Sequence, residues 1–138
     1  MPSHQFVQLA LVDDHTLFRK GFINLIEMVC NNCVILFEAD NGIDLQQKIQ
    51  KDKQPDIILM DISMPGMDGY DAVQWLHDNF PLIKILIVTM NGQKESFLRM
   101  LQLGVNGYIN KDVEPAELRT ALKEIVNGGS YYTNIINH

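Results

Sequence analysis

The chain has 138 residues, with 11 basic and 17 acidic side chains for a formal net charge of -6, and 46% of its residues are hydrophobic. That length suits one globular domain able to bury its own core without metal or disulfide staples. The acidic balance makes it a poor nucleic-acid binder by itself, since backbone phosphates demand clustered Lys and Arg, and its longest apolar runs, such as Ile57 to Met60, are far too short to cross a bilayer. The start Met1-Pro2-Ser3-His4-Gln5 has no basic segment leading into an apolar one, so a cytoplasmic location is the expectation.

Along the chain, apolar runs alternate with helix-period segments. Phe6 to Val12 reads as a strand, and Phe18, Phe22, Leu25, Ile26 and Val29 then recur at the spacing of an amphipathic helix. Cys30-Asn31-Asn32-Cys33 follows. It offers half a zinc site, because His4, His15, His77 and His138 are not paired at finger spacing. It also lies at the wrong end of its helix for a redox motif, so a simple helix-to-strand turn is expected. Val34 to Ala39 is the second strand, Ile43 to Lys51 a more polar helix, and Ile57 to Asp61 the third strand. After the loop Met64-Pro65-Gly66-Met67-Asp68-Gly69 comes a helix from about Tyr70 to Phe80, with Asp68 as its N-cap. Ile85 to Thr89 is the fourth strand, Glu95 to Leu103 a helix, and Gly107 to Ile109 a short fifth strand. Pro115 opens the last helix, which carries Leu118, Ala121, Leu122 and Ile125 on one face and stops at Asn127-Gly128-Gly129. Five βα repeats with nearly continuous apolar strands predict an α/β fold, a five-stranded parallel sheet covered on both faces.

In such a sheet, ligands bind where the strands end at their carboxyl termini. Strand one ends in Asp13-Asp14, strand three in Asp61, strand four in Thr89, and Lys111 follows strand five. Three converging carboxylates repel one another unless a cation sits among them, and an oxygen-only set suits a hard divalent ion such as Mg²⁺. A metal, a hydroxyl and an ammonium around one carboxylate make a phosphoryl site, with Asp61 as nucleophile and Thr89 and Lys111 on the phosphoryl oxygens.

From Gln5 to Gly129 the chain resembles a response-regulator receiver domain of a two-component phosphorelay. The resemblance rests on Val12-Asp13-Asp14-His15, Asp61-Ile62-Ser63-Met64-Pro65-Gly66-Met67-Asp68-Gly69, Val88-Thr89 and Gly107-Tyr108-Ile109-Asn110-Lys111. It implies a doubly wound, flavodoxin/CheY-like three-layer sandwich at residues 1–129, with 130–138 a tail or the start of a linker to an output domain. It further implies that Asp61 accepts a phosphoryl group from a histidine kinase or phosphotransfer protein. Asp14, Asp61 and the Ser63 carbonyl would ligate Mg²⁺ directly, with Asp13 acting through water. Thr89 and Tyr108 would form the switch, Tyr108 turning inward when Thr89 moves. On that reading the domain is a signalling phosphoacceptor rather than an enzyme, and it dimerises on phosphorylation. Kinase choice would lie around Lys20 and Asn24.

Asp14-His15, Lys111-Asp112 and Gly128-Gly129-Ser130-Tyr131 are most similar to the NarL/FixJ (LuxR-type) group, whose members usually continue into a DNA-binding helix-turn-helix. Here the sequence ends at His138, so a receiver separated from a longer transcription factor is expected. Two positions depart from the wider family. Asp112 stands where many receivers have Pro, so no cis bond is expected there. Met90 stands where a small residue is favoured and could crowd Asp61, while Ser63 and Asn91 flank the path of hydrolytic water. A phosphohydrolase would want a second Asp where Ser63 stands, and Asp13-Asp14 would repel a flavin phosphate. A receiver that no longer accepts phosphate is the remaining alternative.

Overall fold

The computed structural model describes residues 6–90 and 92–133. Its elements alternate as the periodicity predicts: β1 (Val7–Val12), α1 (Thr16–Val29), β2 (Cys33–Ala39), α2 (Gly42–Lys48), β3 (Ile57–Met60), α3 (Gly69–Asn79), β4 (Lys84–Thr89), α4 (Lys94–Gln102), β5 (Gly107–Asn110), α5 (Pro115–Val126) and β6 (Tyr131–Tyr132). All strands pair in parallel, in the order β2-β1-β3-β4-β5-β6.

Successive side chains on a strand point to opposite faces, which explains why the strands carry hardly any polar residues. Leu9, Leu11, Leu59, Leu86 and Val88 face α1 and α5, packing on Phe22, Ile26, Leu118 and Leu122. Ala10, Val12, Ile58, Met60, Ile85 and Ile87 face the other way, against Leu45 of α2, Leu76 of α3, and Phe97 and Met100 of α4. Each such fully buried Leu or Ile contributes roughly 1.5–3 kcal/mol. Two apolar layers on one sheet give the three-layer sandwich that was expected.

The strand count differs from expectation, with six strands rather than five. Gly128, at φ 91°, ends α5 and turns the chain back along β5. Tyr131 N–H then donates to the Asn106 carbonyl at 3.0 Å and Thr133 N–H to that of Tyr108 at 2.8 Å. The tyrosine hydroxyls fasten the strand, Tyr131 to Glu117 and Tyr132 to the Val105 carbonyl, both at 2.9 Å. The sheet thus continues past Gly129, where the folded unit was expected to stop. A second difference is the end of α2, which comes at Lys48 because Ile49 is already extended and Gln50 bridges to Lys53.

Other features match the reading of the sequence. Asp68 caps α3, its Oδ1 accepting from Asp71 N–H at 3.0 Å. Cys30 and Cys33 do occupy the helix-to-strand turn, but as a disulfide rather than as two independent small residues. No helix among the described residues is long and apolar enough to cross a membrane.

Candidate functional site

Register places the expected residues side by side. Val12 pairs with Met60, Met60 with Ile87, and Thr89 with Asn110, so the residues at or just beyond these strand ends lie level on one edge. Backbone bonds extend the ladder past the strands: Asp61 N–H donates to the Val12 carbonyl at 3.0 Å and Lys111 N–H to that of Thr89 at 2.8 Å. The loop after Asp61 is folded tightly onto it. Gly69 N–H reaches the Ile62 carbonyl at 2.7 Å, and a Cβ at Gly69 would stand 2.7 Å from the Asp61 carbonyl oxygen, so no other residue fits without moving the strand end.

Asp13, Asp61, Thr89 and Lys111 are all buried, while Asp14 is exposed. The Lys111 ammonium stands 2.8 Å from Asp13 Oδ2 and 3.4 Å from Asp61 Oδ2, and 4.4 Å over the Phe18 ring. Burial, and next the charge of Asp13, raises the Asp61 carboxyl above its ordinary value, with Lys111 opposing. Ligand atoms of Asp13, Asp14, Asp61 and also His15 lie within 4.8 Å of one another. Three carboxylates against one ammonium leave excess negative charge among hard oxygen donors, a set that fits a divalent cation.

A cleft open to solvent leads to Asp61, lined by Ser63, Thr89, Lys111, Met90 and Ser96 among others. Met90 does stand at its mouth, but 63% exposed, so the side chain projects mainly into water. Tyr108 lies outside the cleft. Its ring is fully buried beneath α4, edge-on to Phe97 at 5.3 Å, and its hydroxyl meets Ser96 Oγ at 2.9 Å. Burial raises the Tyr108 phenol, the Ser96 hydrogen bond opposing. The inward placement expected to follow a movement of Thr89 is therefore already present. Lys20 and Asn24 are exposed on α1. Asn91 lies outside the described residues.

Two residues at this edge escaped the sequence reading. His15 Nδ1 stands 3.4 Å from both Asp13 Oδ1 and Asp14 Oδ1. Arg19 is buried, bonding the Asp13 carbonyl oxygen, Glu38 at 2.8 Å and Asp40 at 3.0 Å. A signal existed for Arg19. It occupies the buried stripe that continues through Phe22, Ile26 and Val29, where an arginine demands acidic partners.

With this geometry in view, the comparisons define the class of protein. The profile described as "Response regulator receiver domain" matches residues 9–123, and the chain belongs to that family. Its branch is the NarL/LuxR type. The chain is 30% identical over 134 residues to the transcriptional regulatory protein DegU of Brevibacillus brevis, covering 96% of this chain and 55% of that protein. It is 35% identical over 126 residues to the oxygen regulatory protein NreC of Staphylococcus aureus, covering 91% and 57%. The chain thus spans little more than half the length of these relatives. The crystal structure of a LuxR-family response regulator from Aurantimonas sp. SI85-9A1 superposes with a TM-score of 0.87 at 30% identity, covering 96% of this chain and 93% of that one.

Proposed function

We propose that Asp61 is the phosphoacceptor of a two-component phosphorelay and that its phosphorylation switches a DNA-binding output. The observation that carries this reading is the position of the Asp61 carboxylate: buried at the end of β3, facing Asp13 and the Lys111 ammonium, at the foot of a cleft open to solvent. A carboxylate oxygen of Asp61 attacks the phosphorus of a kinase phosphohistidine. The P–N bond breaks, imidazole leaves, and an acyl phosphate forms. Asp14, Asp61 and the Ser63 carbonyl, backed by Asp13, would hold Mg²⁺, which supplies positive charge to the phosphoryl oxygens. Lys111 exchanges its contact with Asp13 for a phosphoryl oxygen, and the Thr89 hydroxyl takes another.

Thr89 and Tyr108 then act as the switch. Phosphorylation fixes Thr89 toward the site and so favours the inward Tyr108 packing over an outward one. The domain self-phosphorylates from small donors and self-dephosphorylates, without turning over a substrate as an enzyme does. The partners are a histidine kinase or phosphotransfer protein, recognised through α1 around Lys20 and Asn24, and a second copy of the chain on phosphorylation. DNA is reached only through an output domain, as the transcriptional role in DegU's name suggests.

The test is intact mass after incubation with an acyl phosphate or phosphoramidate, with and without Mg²⁺. One Mg²⁺-dependent phosphoryl adduct is expected, absent from Asp61→Asn. A chain unmodified under every condition, or an adduct that survives the substitution, overturns the reading.

A further inference from the structure

At the opposite end of the sheet, the turn between α1 and β2 carries a cysteine pair that phosphoryl chemistry does not use. Cys30 closes α1 and Cys33 opens β2, their sulfurs are bonded, and their Cα atoms are 5.5 Å apart. A bridge between residues only three apart closes a very short loop, the case in which a cross-link constrains the unfolded chain least. It is thus a weak staple for a domain that already has two extensive apolar layers. Both cysteines are partly exposed, and they line a groove with Leu122, Val126, Arg119 and Lys123.

A helix C-terminus carries partial negative charge, which disfavours the thiolate that disulfide exchange requires. Here a neighbouring helix offsets that charge. Arg119 Nε of α5 donates to the Val29 carbonyl at 3.2 Å, setting a guanidinium on the end of α1 beside Cys30. Lys123, one turn further along α5, brings a second cation to the same groove. Partly exposed sulfur beside positive charge is the setting of reactive cysteines.

We propose that Cys30 and Cys33 form a reversible thiol–disulfide site for small disulfides of the glutathione class, with Arg119 and Lys123 as positioning residues. In the oxidising direction, one cysteine thiolate attacks a sulfur of oxidised glutathione. A protein–glutathione S–S bond forms, the glutathione S–S bond breaks, and one glutathione thiolate leaves. The second cysteine thiolate then displaces the other glutathione. Two protein thiols become one disulfide, one oxidised glutathione becomes two reduced ones, and the two thiol protons pass to the departing thiolates.

The experiment equilibrates the full chain in buffers of graded reduced-to-oxidised glutathione, quenches with N-ethylmaleimide and weighs the intact protein. A reversible passage between a species carrying two maleimides and one carrying none is expected, with Cys33→Ser instead accumulating a glutathione adduct. The Arg119→Gln, Lys123→Gln double variant is expected to reoxidise about three- to tenfold more slowly. A far-UV circular dichroism spectrum and thermal unfolding midpoint matching those of the parent check that its fold is intact. A pair that stays oxidised throughout is a static cross-link, and one that stays reduced throughout is an inert turn; either result overturns the proposal. A double variant that reoxidises at the parental rate removes Arg119 and Lys123 from it.

Discussion

The two ends of the sheet are built from the same strands and hold opposite chemistry. Every buried polar or charged residue among those described, namely Asp13, Arg19, Asp61, Thr89 and Lys111, lies at the carboxyl-terminal edge. At the amino-terminal edge, Phe6, Ile57, Leu82, Ile83 and Val126 line an open groove together with Gln54, Asp56 and Lys84, with Phe6 and Leu82 mostly in solvent. Buried charge is costly unless paired, so a cluster of it persists where each group has a partner. Exposed apolar groups cost little, and scattered ones are ordinary. The contrast assigns buried charge to one edge and tolerance of substitution to the groove around Phe6 and Leu82 at the other.

The contrast breaks most visibly at Arg19. Burial alone would push its guanidinium down, yet the bonds to Glu38 and Asp40 hold it above its ordinary value. Replacement by Ala leaves Glu38 and the Asp13 carbonyl oxygen without their buried donor, and Arg19→Ala is expected to cost about 3 kcal/mol by urea denaturation. The neighbouring Lys20 bonds the same Glu38 at 3.1 Å but is exposed, so Lys20→Ala should stay within about 0.5 kcal/mol. Equal losses for the two would show that charge, not burial, sets the importance of this corner.

A smaller effect of opposite sign is expected at Asp61. The folded state raises its carboxyl through burial and then through Asp13, so it binds the proton more tightly than the unfolded chain does. Ionisation of Asp61 therefore costs stability. The cost is absent below the unfolded carboxylate value, grows as pH rises through the folded one, and is complete above it. Without divalent ions, Asp61→Asn should stabilise the domain at pH 7 by about 1 kcal/mol, the usual scale of a single stabilising substitution. The gain should shrink towards pH 4, near the unfolded value. A variant no more stable than the parent at pH 7 would mean that Lys111 fully compensates the site.

How far the sequence reveals all this depends on the scale of each feature. The strands were legible because both of their faces are buried, and the five candidate residues, which the structure gathers at one edge, because strand ends are where polar residues stand out against apolar runs. The sixth strand was not, since Tyr131 and Tyr132 are too few to show a period and depend on the Gly128 turn to reach β5. His15 was hidden by its place beside two acids, where it reads as part of a motif rather than as a group 3.4 Å from each carboxylate. Arg19 hid within an otherwise apolar stripe, because its partners Glu38 and Asp40 lie some 20 residues away and are brought close only by the β1–β2 pairing. The disulfide required the turn geometry, for two cysteines at this spacing are compatible with either state.

The smallest effect belongs to the tolerant groove. Leu82 is 85% exposed, so its side chain loses little water on folding and Leu82→Ser removes little buried area. The expected change in unfolding free energy is within about 0.5 kcal/mol, although a large apolar residue is exchanged for a small polar one. Leu82 shares its groove with Phe6 and Val126, which are also exposed, so no neighbour is left with a cavity when the leucine is shortened. A measured loss above about 1 kcal/mol would mean that Leu82 is covered in solution. The groove around Leu82 would then have a structural duty of its own, and the contrast between it and the buried charge at the carboxyl-terminal edge would have to be redrawn.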